Sequence, residues 1–375
     1  YVTDVITDLT LDWFKNKRDK DKPFLTFYLH KAPHRAWWPS PEKFAEFYNK
    51  KFPEPETLFD DYSNRGTAAK TAEMNLLTHM QYMQDSKVRP SVFEKMKNVE
   101  PKIVYARGDG TFFEPSSNSF NDRYNRANDE QKKKYDVILN KISKDFETNW
   151  PNMNTKQKMQ WKFQRYMQDY LATISSVDDN VGRVLDYLEE TGLDKNTIVV
   201  YTSDQGFYLG EHGWFDKRFI YDESFKTPLM IKWPNQIKPG TTNEEMVQNL
   251  DFAQTFLEAA MIDAPKDMQG ESLLPLLKGN SDKWNRESVY YHYYEYPSVH
   301  MAKRHYGIVS KDYKLVHFYF DVDEWELYDR KNDPNEMNNV YNDPNYTEVV
   351  VKLKEELKDL RIKYKDSEEL DKSFL

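Results

Sequence analysis

The sequence predicts an α/β protein in which a mostly parallel sheet is sandwiched by helices. Residues 197–202 and 228–233 form short, apolar, β-branched runs of the kind found in buried strands. Each run lies next to a helical pattern, since residues 161–188 precede the first and residues 251–261 follow the second. Helices that alternate with apolar strands are typical of a parallel sheet covered on its faces.

The first half of the chain contains three further predicted segments. Residues 1–14 have the apolar spacing of an amphipathic helix, and residues 23–29 read as another buried strand. Residues 53–155 are polar, rich in Lys, Asn and Asp, and weakly helical in their periodicity. We interpret them as a long, mostly helical insertion that covers one side of the site, within a domain spanning 1–282.

The long helix and the C-terminal region are more strongly patterned. An apolar stripe runs along the helix over 161–188, and Gly192 ends it. Residues 283–375 are predicted to form an α+β subdomain. Tyr-rich alternating runs at 287–296, 305–309, 313–320 and 325–328 indicate a small antiparallel sheet, and a helix over 347–364 is expected to pack on it.

Composition limits the classes of partner. The chain has 53 basic and 62 acidic residues, a formal net charge of −9, which argues against a nucleic-acid partner. An anionic substrate would therefore need a local basic pocket. There is no cysteine and no run of 18 apolar residues, so disulfides, cysteine metal sites and a membrane span are not expected.

Asp204 and Gln205 directly follow the strand predicted at 197–202. Open α/β sheets hold their ligands at the carboxyl ends of their strands, and carboxylate and amide oxygens suit calcium or magnesium. Taken alone, the Ser-Asp-Gln-Gly sequence is also compatible with a turn capped by its own side chains. His34 stands at the end of the strand predicted at 23–29. Polar residues are therefore also expected at the carboxyl end of a second strand.

The surrounding residues carry a family resemblance. Gly210-Glu211-His212-Gly213, Asp216-Lys217-Arg218 and Thr227-Pro228-Leu229 follow the Asp-Gln pair, and Lys31-Ala32-Pro33-His34 follows the earlier strand. These segments resemble the sulfatase family of the alkaline-phosphatase-like superfamily. Within it, the Asp-Lys-Arg triplet and the long insertion are most similar to bacterial N-acetylglucosamine-6-sulfatases. The resemblance implies an alkaline-phosphatase-like fold.

The resemblance also implies roles for the residues at the two strand ends. Asp204 and Gln205 would hold calcium, or magnesium in its place. Lys217 would counter the charge on a sulfate oxygen, and His34 would contact the sulfate or protonate the leaving alcohol. Lys31 would be a second sulfate contact, although it is equally compatible with a solvated surface charge.

Three residues are candidates for the sugar ring. Asp216 and Arg218 flank Lys217, and an acceptor beside a donor can grip one hydroxyl; a rim salt bridge is the alternative. His305 belongs to a basic cluster with His300, Lys303 and Arg304 in the C-terminal subdomain. Such a cluster suits an anionic sugar, although a loop of solvated charges has the same composition.

One part of the family pattern is absent from these 375 residues. Sulfatases begin with an Asp-Asp metal pair on the first strand and then carry a C/S-x-P-S/A-R motif whose Cys or Ser becomes formylglycine. Here no strand with Asp-Asp precedes His34, and the motif is not found. We expect formylglycine to belong to a missing N-terminal part, and this chain alone to be inactive. A periplasmic or secreted location is expected from the resemblance alone, and no signal peptide is visible in this chain.

The sequence therefore predicts a sulfuric ester hydrolase that removes sulfate from a carbohydrate. The expected group is the 6-O-sulfate of N-acetylglucosamine in host glycans such as glycosaminoglycans or mucins, and the expected partner is a sulfated mono- or oligosaccharide. Two alternatives remain: a related phosphodiesterase or phosphonate hydrolase, and a non-catalytic binder of sulfated glycans.

Overall fold

The computed structural model describes residues 1–96 and 98–373. The helices are α1 (Val2–Asp12), α2 (Pro41–Phe47), α3 (Thr67–Thr71), α4 (Leu76–His79), α5 (Pro90–Phe93), α6 (Asn118–Arg126), α7 (Asp129–Asn149), α8 (Thr155–Glu190), α9 (Asp222–Phe225), α10 (Asp251–Ala259), α11 (Leu274–Leu277), α12 (Thr347–Lys363) and α13 (Glu368–Lys372). A π-helical turn, Trp13–Lys17, extends α1.

The strands are short in the first part of the chain and longer near its end. They are β1 (Tyr105–Ala106), β2 (Phe112–Phe113), β3 (Val199–Thr202), β4 (Tyr208–Leu209), β5 (Phe215–Asp216), β6 (Leu229–Lys232), β7 (Ser288–Tyr293), β8 (His305–Ser310), β9 (Tyr313–Phe318) and β10 (Glu324–Asp329). They pair as β1 with β2, β3 with β6, β4 with β5, and β10-β9-β8-β7 in one sheet.

The main helices and strands lie where the sequence predicts them. Helix α8 is longer than its predicted range because Asn154 and Gln157 form a capping box, which satisfies the free N–H groups of the first turn. Strands β3 and β6 match the two apolar runs, and α10 matches the helix predicted after the second run. The alternation of α8, β3, β6 and α10 is therefore confirmed.

Residues 23–29 differ from the prediction of a paired strand. The segment is extended, and its side chains alternate: Leu25, Phe27 and Leu29 are 67%, 69% and 72% exposed, while the residues between them are partly buried. No described residue pairs with its backbone. Within residues 1–96 and 98–373 all strand pairs are antiparallel, so the parallel pairs of the predicted sheet do not occur there. A parallel ladder needs a neighbouring strand, and this segment has none in the part of the chain that the structure describes.

The C-terminal antiparallel sheet and its helix are confirmed. Side chains on its strands alternate between two faces. Ile308, Leu315 and Leu327 on one face pack against Leu353 and Leu357 of α12. The opposite face buries a second set of apolar residues together with the segment around Lys217; this set is Val309, Val316, Phe318, Tyr328, Trp214 and Phe219. The sheet therefore supports the candidate site directly.

The described part of region 53–155 contains helices α3 to α7 and the hairpin of β1 and β2. Its largest helix, α7, packs its buried face against aromatic residues of the region and against Phe44 of α2, which precedes the region; the shared cluster includes Phe44, Tyr82, Ile138, Leu139, Phe146 and Trp150. The predicted helical character is therefore observed. That the region is an insertion, and the domain limits 1–282 and 283–375, stay predictions.

Hydropathy along the helices bears on membrane insertion. Across the described part of the chain, none of the helices combines the length and the apolar character needed to cross a bilayer.

Gly206 lets the turn after β3 lie directly against α9, and its replacement provides a stability test. A Cβ at this position would lie 2.1 Å from Glu223 O and 2.6 Å from Lys226 O. We expect Gly206→Ala to lower the free energy of unfolding by about 3 kcal/mol, because backbone must move to accept the methyl group. Gly182→Ala in α8 is the matched control, since its Cβ would meet nothing within 4 Å. Equal urea midpoints for the two variants would contradict this account.

Candidate functional site

The centre of the site is the turn that follows β5. Strand β5 pairs with β4, with Tyr208 opposite Asp216. Asp216 and Arg218 have φ values of 75° and 128°, a region that non-glycine residues occupy at a cost. The N–H of Arg218 donates to Ser224 Oγ at 2.9 Å, and its carbonyl accepts from Tyr291 OH at 2.7 Å. These bonds hold the turn so that three consecutive charged side chains meet.

The carboxylate of Asp216 is buried and surrounded by positive groups. Its Oδ1 accepts from the Lys217 N–H at 2.9 Å and from Arg218 Nη1 at 3.1 Å. Its Oδ2 lies 3.1 Å from Nε2 of His300. Burial alone would raise the pKa of Asp216, but the hydrogen bond from His300 and the charges of Arg218 and Lys217 outweigh burial and hold the pKa well below its usual range. Asp216 is therefore a fixed negative charge.

Lys217 lies beside this carboxylate. Its Nζ is 3.5 Å from Asp216 Oδ1 and 5.6 Å from the ring centre of Phe207. Burial lowers the pKa of Lys217, the charge of Arg218 adds to the lowering, and Asp216 and Asp204 oppose it. Asp204 at the end of β3 is therefore near enough for its charge to act on Lys217. That the two residues share one active site stays a prediction.

Asp204 and Gln205 present oxygen atoms at the end of β3. Asp204 is exposed, and its carboxylate accepts one bond, from Ser203 Oγ at 3.3 Å. The side-chain amide of Gln205 has no hydrogen-bond partner among the described residues, while Gly206 N–H donates to Ser224 O at 2.9 Å. Oxygen donors left open in this way, on a braced turn, fit calcium or magnesium. Metal binding itself stays a prediction.

The loop that carries Lys31 and His34 lies beside β5. Both side chains are exposed, and the N–H of His34 donates to Lys31 O at 3.0 Å. Nδ1 of His34 is 2.8 Å from the carbonyl oxygen of Arg35. A carbonyl only accepts, so Nδ1 carries the hydrogen, and Nε2 is the atom that can gain or lose a proton.

Arg35 anchors this loop. Its guanidinium donates two hydrogen bonds to Asp85, at 2.9 Å and 2.6 Å, and lies 5.0 Å from the ring centre of Phe215 in β5. Asp85 is fully buried, and it belongs to region 53–155. That region therefore positions the His34 loop next to the Asp216 turn, consistent with the prediction that it covers one side of the site.

His305 occupies a different environment from the exposed basic cluster expected there. It is fully buried among the rings of Phe219, Tyr291, Tyr293 and Phe318, at centre-to-centre distances of 5.0 to 5.5 Å. Burial lowers its pKa to about 3. Its Nδ1 lies 2.8 Å from Lys303 O, and its Nε2 has no hydrogen-bond partner. A sugar contact by His305 stays a prediction.

His300 is the residue of that cluster that reaches the site. The sequence placed it among the basic candidates without a role, and its contact with Asp216 joins positions 84 residues apart. Its two neighbours in the cluster bind elsewhere, Lys303 to Tyr296 OH at 2.5 Å and Arg304 to Asp321 at 3.0 Å. The local sequence gave no signal that distinguished His300 from these neighbours.

Comparisons with known proteins find two matching family models and several similar chains. A family model described as Sulfatase matches residues 1–262, and one described as N-sulphoglucosamine sulphohydrolase, C-terminal, matches residues 210–363. A curated Bacteroides thetaiotaomicron protein named N-acetylglucosamine-6-O-sulfatase is 43% identical over 370 residues, which are 98% of this chain and 62% of that protein. Human N-acetylglucosamine-6-sulfatase is 41% identical over 123 residues, 32% of this chain and 22% of its own.

Solved structures extend the comparison to the fold. One described as a complex with its substrate D-glucosamine-2-N,6-O-disulfate is 42% identical, has a TM-score of 0.89, and covers 98% of this chain and 71% of its own. A putative sulfatase from Bacteroides thetaiotaomicron, 19% identical, has a TM-score of 0.62 over 98% of this chain and 64% of its own. The predicted fold class is therefore confirmed. The chain spans less than two thirds of the length of the curated relatives it matches.

The Arg35–Asp85 pair provides a test of how the His34 loop is held. We expect Arg35→Ala to lower the free energy of unfolding by about 3 kcal/mol, because it leaves a buried carboxylate unpaired. The control is Lys134→Ala, which breaks an exposed pair with Glu42 (2.9 Å) and should change the urea midpoint little. Similar midpoints for both variants would show that the buried pair does not stabilise the loop.

Proposed function

This chain belongs to the sulfatase family, and from that premise we propose that the protein is a sulfuric ester hydrolase that removes the 6-O-sulfate of N-acetylglucosamine in glycans. The observation that carries the proposal is the 43% identity over 98% of this chain with a relative named N-acetylglucosamine-6-O-sulfatase. The complex of the similar solved structure with a 6-O-sulfated glucosamine supports the same substrate class. The family resemblance supports a periplasmic or secreted location.

The charges of the site suit a sulfate ester. Sulfuryl transfer, like phosphoryl transfer, depends mainly on positioning the group and on countering the charge on its equatorial oxygens. The Lys217 ammonium is a donor with only 13% of its side chain exposed. In such a site its attraction for an anion is stronger than in water. In an acidic chain, Lys217 and Arg218 supply the local positive charge that an anionic substrate requires.

His34 has the geometry of a general acid. Because Nδ1 is engaged by the Arg35 carbonyl, Nε2 is available on the exposed side of the ring. A protonated Nε2 would donate its proton to the leaving alcohol oxygen as the ester bond breaks. Asp216 and Arg218 would hold the sugar at the rim, with Lys31 as a further sulfate contact and His305 as a further contact in the C-terminal sheet.

A divalent cation, calcium or magnesium, fits the open oxygens of Asp204 and Gln205. Bound there, it would neutralise charge on the sulfate group. The family's formylglycine is not encoded in these 375 residues, since they contain no cysteine and no C/S-x-P-S/A-R motif. We therefore propose that this chain by itself turns over little substrate, and that the activity belongs to the full-length protein.

The first test is the sulfatase activity of the full-length protein on 6-sulfated N-acetylglucosamine. We expect Lys217→Ala to lower kcat/KM at least about a hundredfold, the effect of removing one preorganised donor. Lys226→Ala is the control, because that lysine is 68% exposed and pairs with Asp222 outside the site. Wild-type turnover of aryl phosphodiesters in excess of sulfates would favour the related phosphodiesterase instead.

The lowered pKa of Lys217 adds a pH signature to the same assay. Since only the ammonium form counters sulfate charge, activity should fall with rising pH earlier than it would for an exposed lysine. In Lys217→Arg the group stays charged, so the alkaline limb should move to higher pH even if the rate is lower. An unmoved limb would assign it to another group.

Calcium binding provides an independent test. We expect Asp204→Asn to weaken calcium binding by the full-length protein about tenfold or more, as measured by calorimetry, because one anionic ligand is lost. Asp178→Asn is the control, since Asp178 is an exposed carboxylate on α8 with an acidic neighbour. Equal affinities in the wild-type protein and Asp204→Asn would remove Asp204 from the metal site.

A further inference from the structure

His300 lies between two hydrogen-bond acceptors. Its Nδ1 is 2.7 Å from the carbonyl oxygen of Glu73, and its Nε2 is 3.1 Å from Oδ2 of Asp216. A carbonyl oxygen can only accept, and the ionised carboxylate of Asp216 can only accept. Both ring nitrogens must therefore carry hydrogen, and His300 satisfies both contacts only as an imidazolium.

The ring is held in this position by its own backbone. The N–H of Glu73 donates to His300 O at 2.7 Å, so the two residues are joined by a backbone and a side-chain hydrogen bond. His300 has a φ of 65° and is only 3% exposed. A residue other than glycine adopts this conformation when its surroundings impose it, often beside a ligand site. The neighbouring Phe215 N–H donates to Met74 O at 3.0 Å, which fixes the same segment against β5.

The charged groups facing His300 come from two segments. Asp216, Lys217 and Arg218 face it from the turn after β5. From the other side come Glu73, whose carboxylate accepts from Ala106 N–H at 2.9 Å, and His79. The positive charge of His300 contributes, after burial, to lowering the pKa of His79 to about 4. His79 is thus neutral at physiological pH, and Asp216 is the partner that compensates the imidazolium.

The Asp216 carboxylate has one lone-pair position that no described donor occupies. A carboxylate offers about four lone-pair positions. Oδ1 uses two, for the Lys217 N–H and for Arg218 Nη1, and Oδ2 uses one, for His300. The remaining lone-pair position is on Oδ2, the oxygen that His300 orients.

We propose that His300 is a positioning residue of the sugar-binding rim: as an imidazolium it holds Asp216 ionised and orients Oδ2, whose remaining lone pair accepts a hydroxyl of the sulfated sugar. The proposal rests on the function proposed above. It assigns to the C-terminal subdomain a part in selecting the sugar, separate from the charge that Lys217 brings to the sulfate.

The kinetic test compares two substrates of the full-length enzyme. For His300→Gln, which keeps a donor but loses the charge, we expect KM for 6-sulfated N-acetylglucosamine to rise about tenfold or more, the loss of one charged hydrogen bond, with a smaller change in kcat. Hydrolysis of 4-nitrophenyl sulfate, which has no sugar hydroxyl, should stay within about threefold of wild type. Equal losses on both substrates would overturn the proposal.

The pH dependence of KM gives a readout that a structural role would not move. Without the imidazolium, burial should raise the pKa of Asp216, so KM of the variant should rise as pH falls across a range where the wild type is flat. His292→Gln is the matched control, because His292 also lies between two partners, Asp366 and Tyr319 OH, each at 2.7 Å. A flat profile in His300→Gln would contradict the proposal.

A spectroscopic test does not depend on turnover. In the 375-residue chain, ¹⁵N-histidine spectra recorded at pH 7 should show His300 with both nitrogens protonated, and Asp216→Asn should leave it with one. A neutral His300 in the wild-type protein would overturn the proposal even if the enzyme is a sulfatase. Conversely, an imidazolium in a protein without sulfatase activity would leave the pair intact and refute the proposed function.

Discussion

The buried negative charge of Asp216 is the constraint around which the site is organised. A carboxylate removed from water is costly unless charges and hydrogen bonds replace its hydration. Here a backbone N–H, Arg218 and His300 provide that replacement within 3.1 Å, and Lys217 Nζ lies 3.5 Å away. Since these groups come from the turn after β5 and from the C-terminal subdomain, the carboxylate ties together parts of the chain that are far apart in sequence.

The same arrangement would allow an acidic protein to bind the anionic substrate proposed above. The chain carries a formal charge of −9, which repels a sulfate at long range. Such repulsion is screened by salt beyond roughly 10 Å, whereas contacts in a partly buried site are screened much less. Lys217 and Arg218 both lie beside the Asp216 carboxylate, which holds the two cations in place. One negative charge does not neutralise two positive charges, so the turn keeps a local positive charge. The local sign of the site is thus set by geometry and not by composition.

The packing behind the site stabilises three residues in unfavourable backbone conformations. Asp216, Arg218 and His300 all have positive φ values, each a cost of about 1–3 kcal/mol for a non-glycine residue. The apolar cluster behind them joins Trp214 and Phe219 to the inner face of the C-terminal sheet. The C-terminal sheet is therefore part of the support of the site, because its inner face packs against the segment that carries the turn after β5.

Much of the fold followed from the sequence because its signals are local. The stripe along α8, the apolar runs of β3 and β6, and the alternation in β7 to β10 each reflect which face of one element is buried. Short motifs after residues 197–202 and after residues 23–29 likewise indicated the family, and with it Asp204, Lys217 and His34 as candidate site residues. A period or a motif can be read within one stretch of chain, so these features needed no tertiary information.

Pairing across the fold was decided only by the tertiary structure. The sequence favoured His305 as the sugar contact and gave no role to His300, five residues earlier, yet His300 faces Asp216 and His305 is enclosed by aromatic rings. It likewise gave no sign that Arg35 binds Asp85, or that the strand-like segment at 23–29 lacks a paired neighbour among the described residues. The physical reason is common to all three: burial and charge compensation depend on which distant segments meet, and no local pattern encodes that.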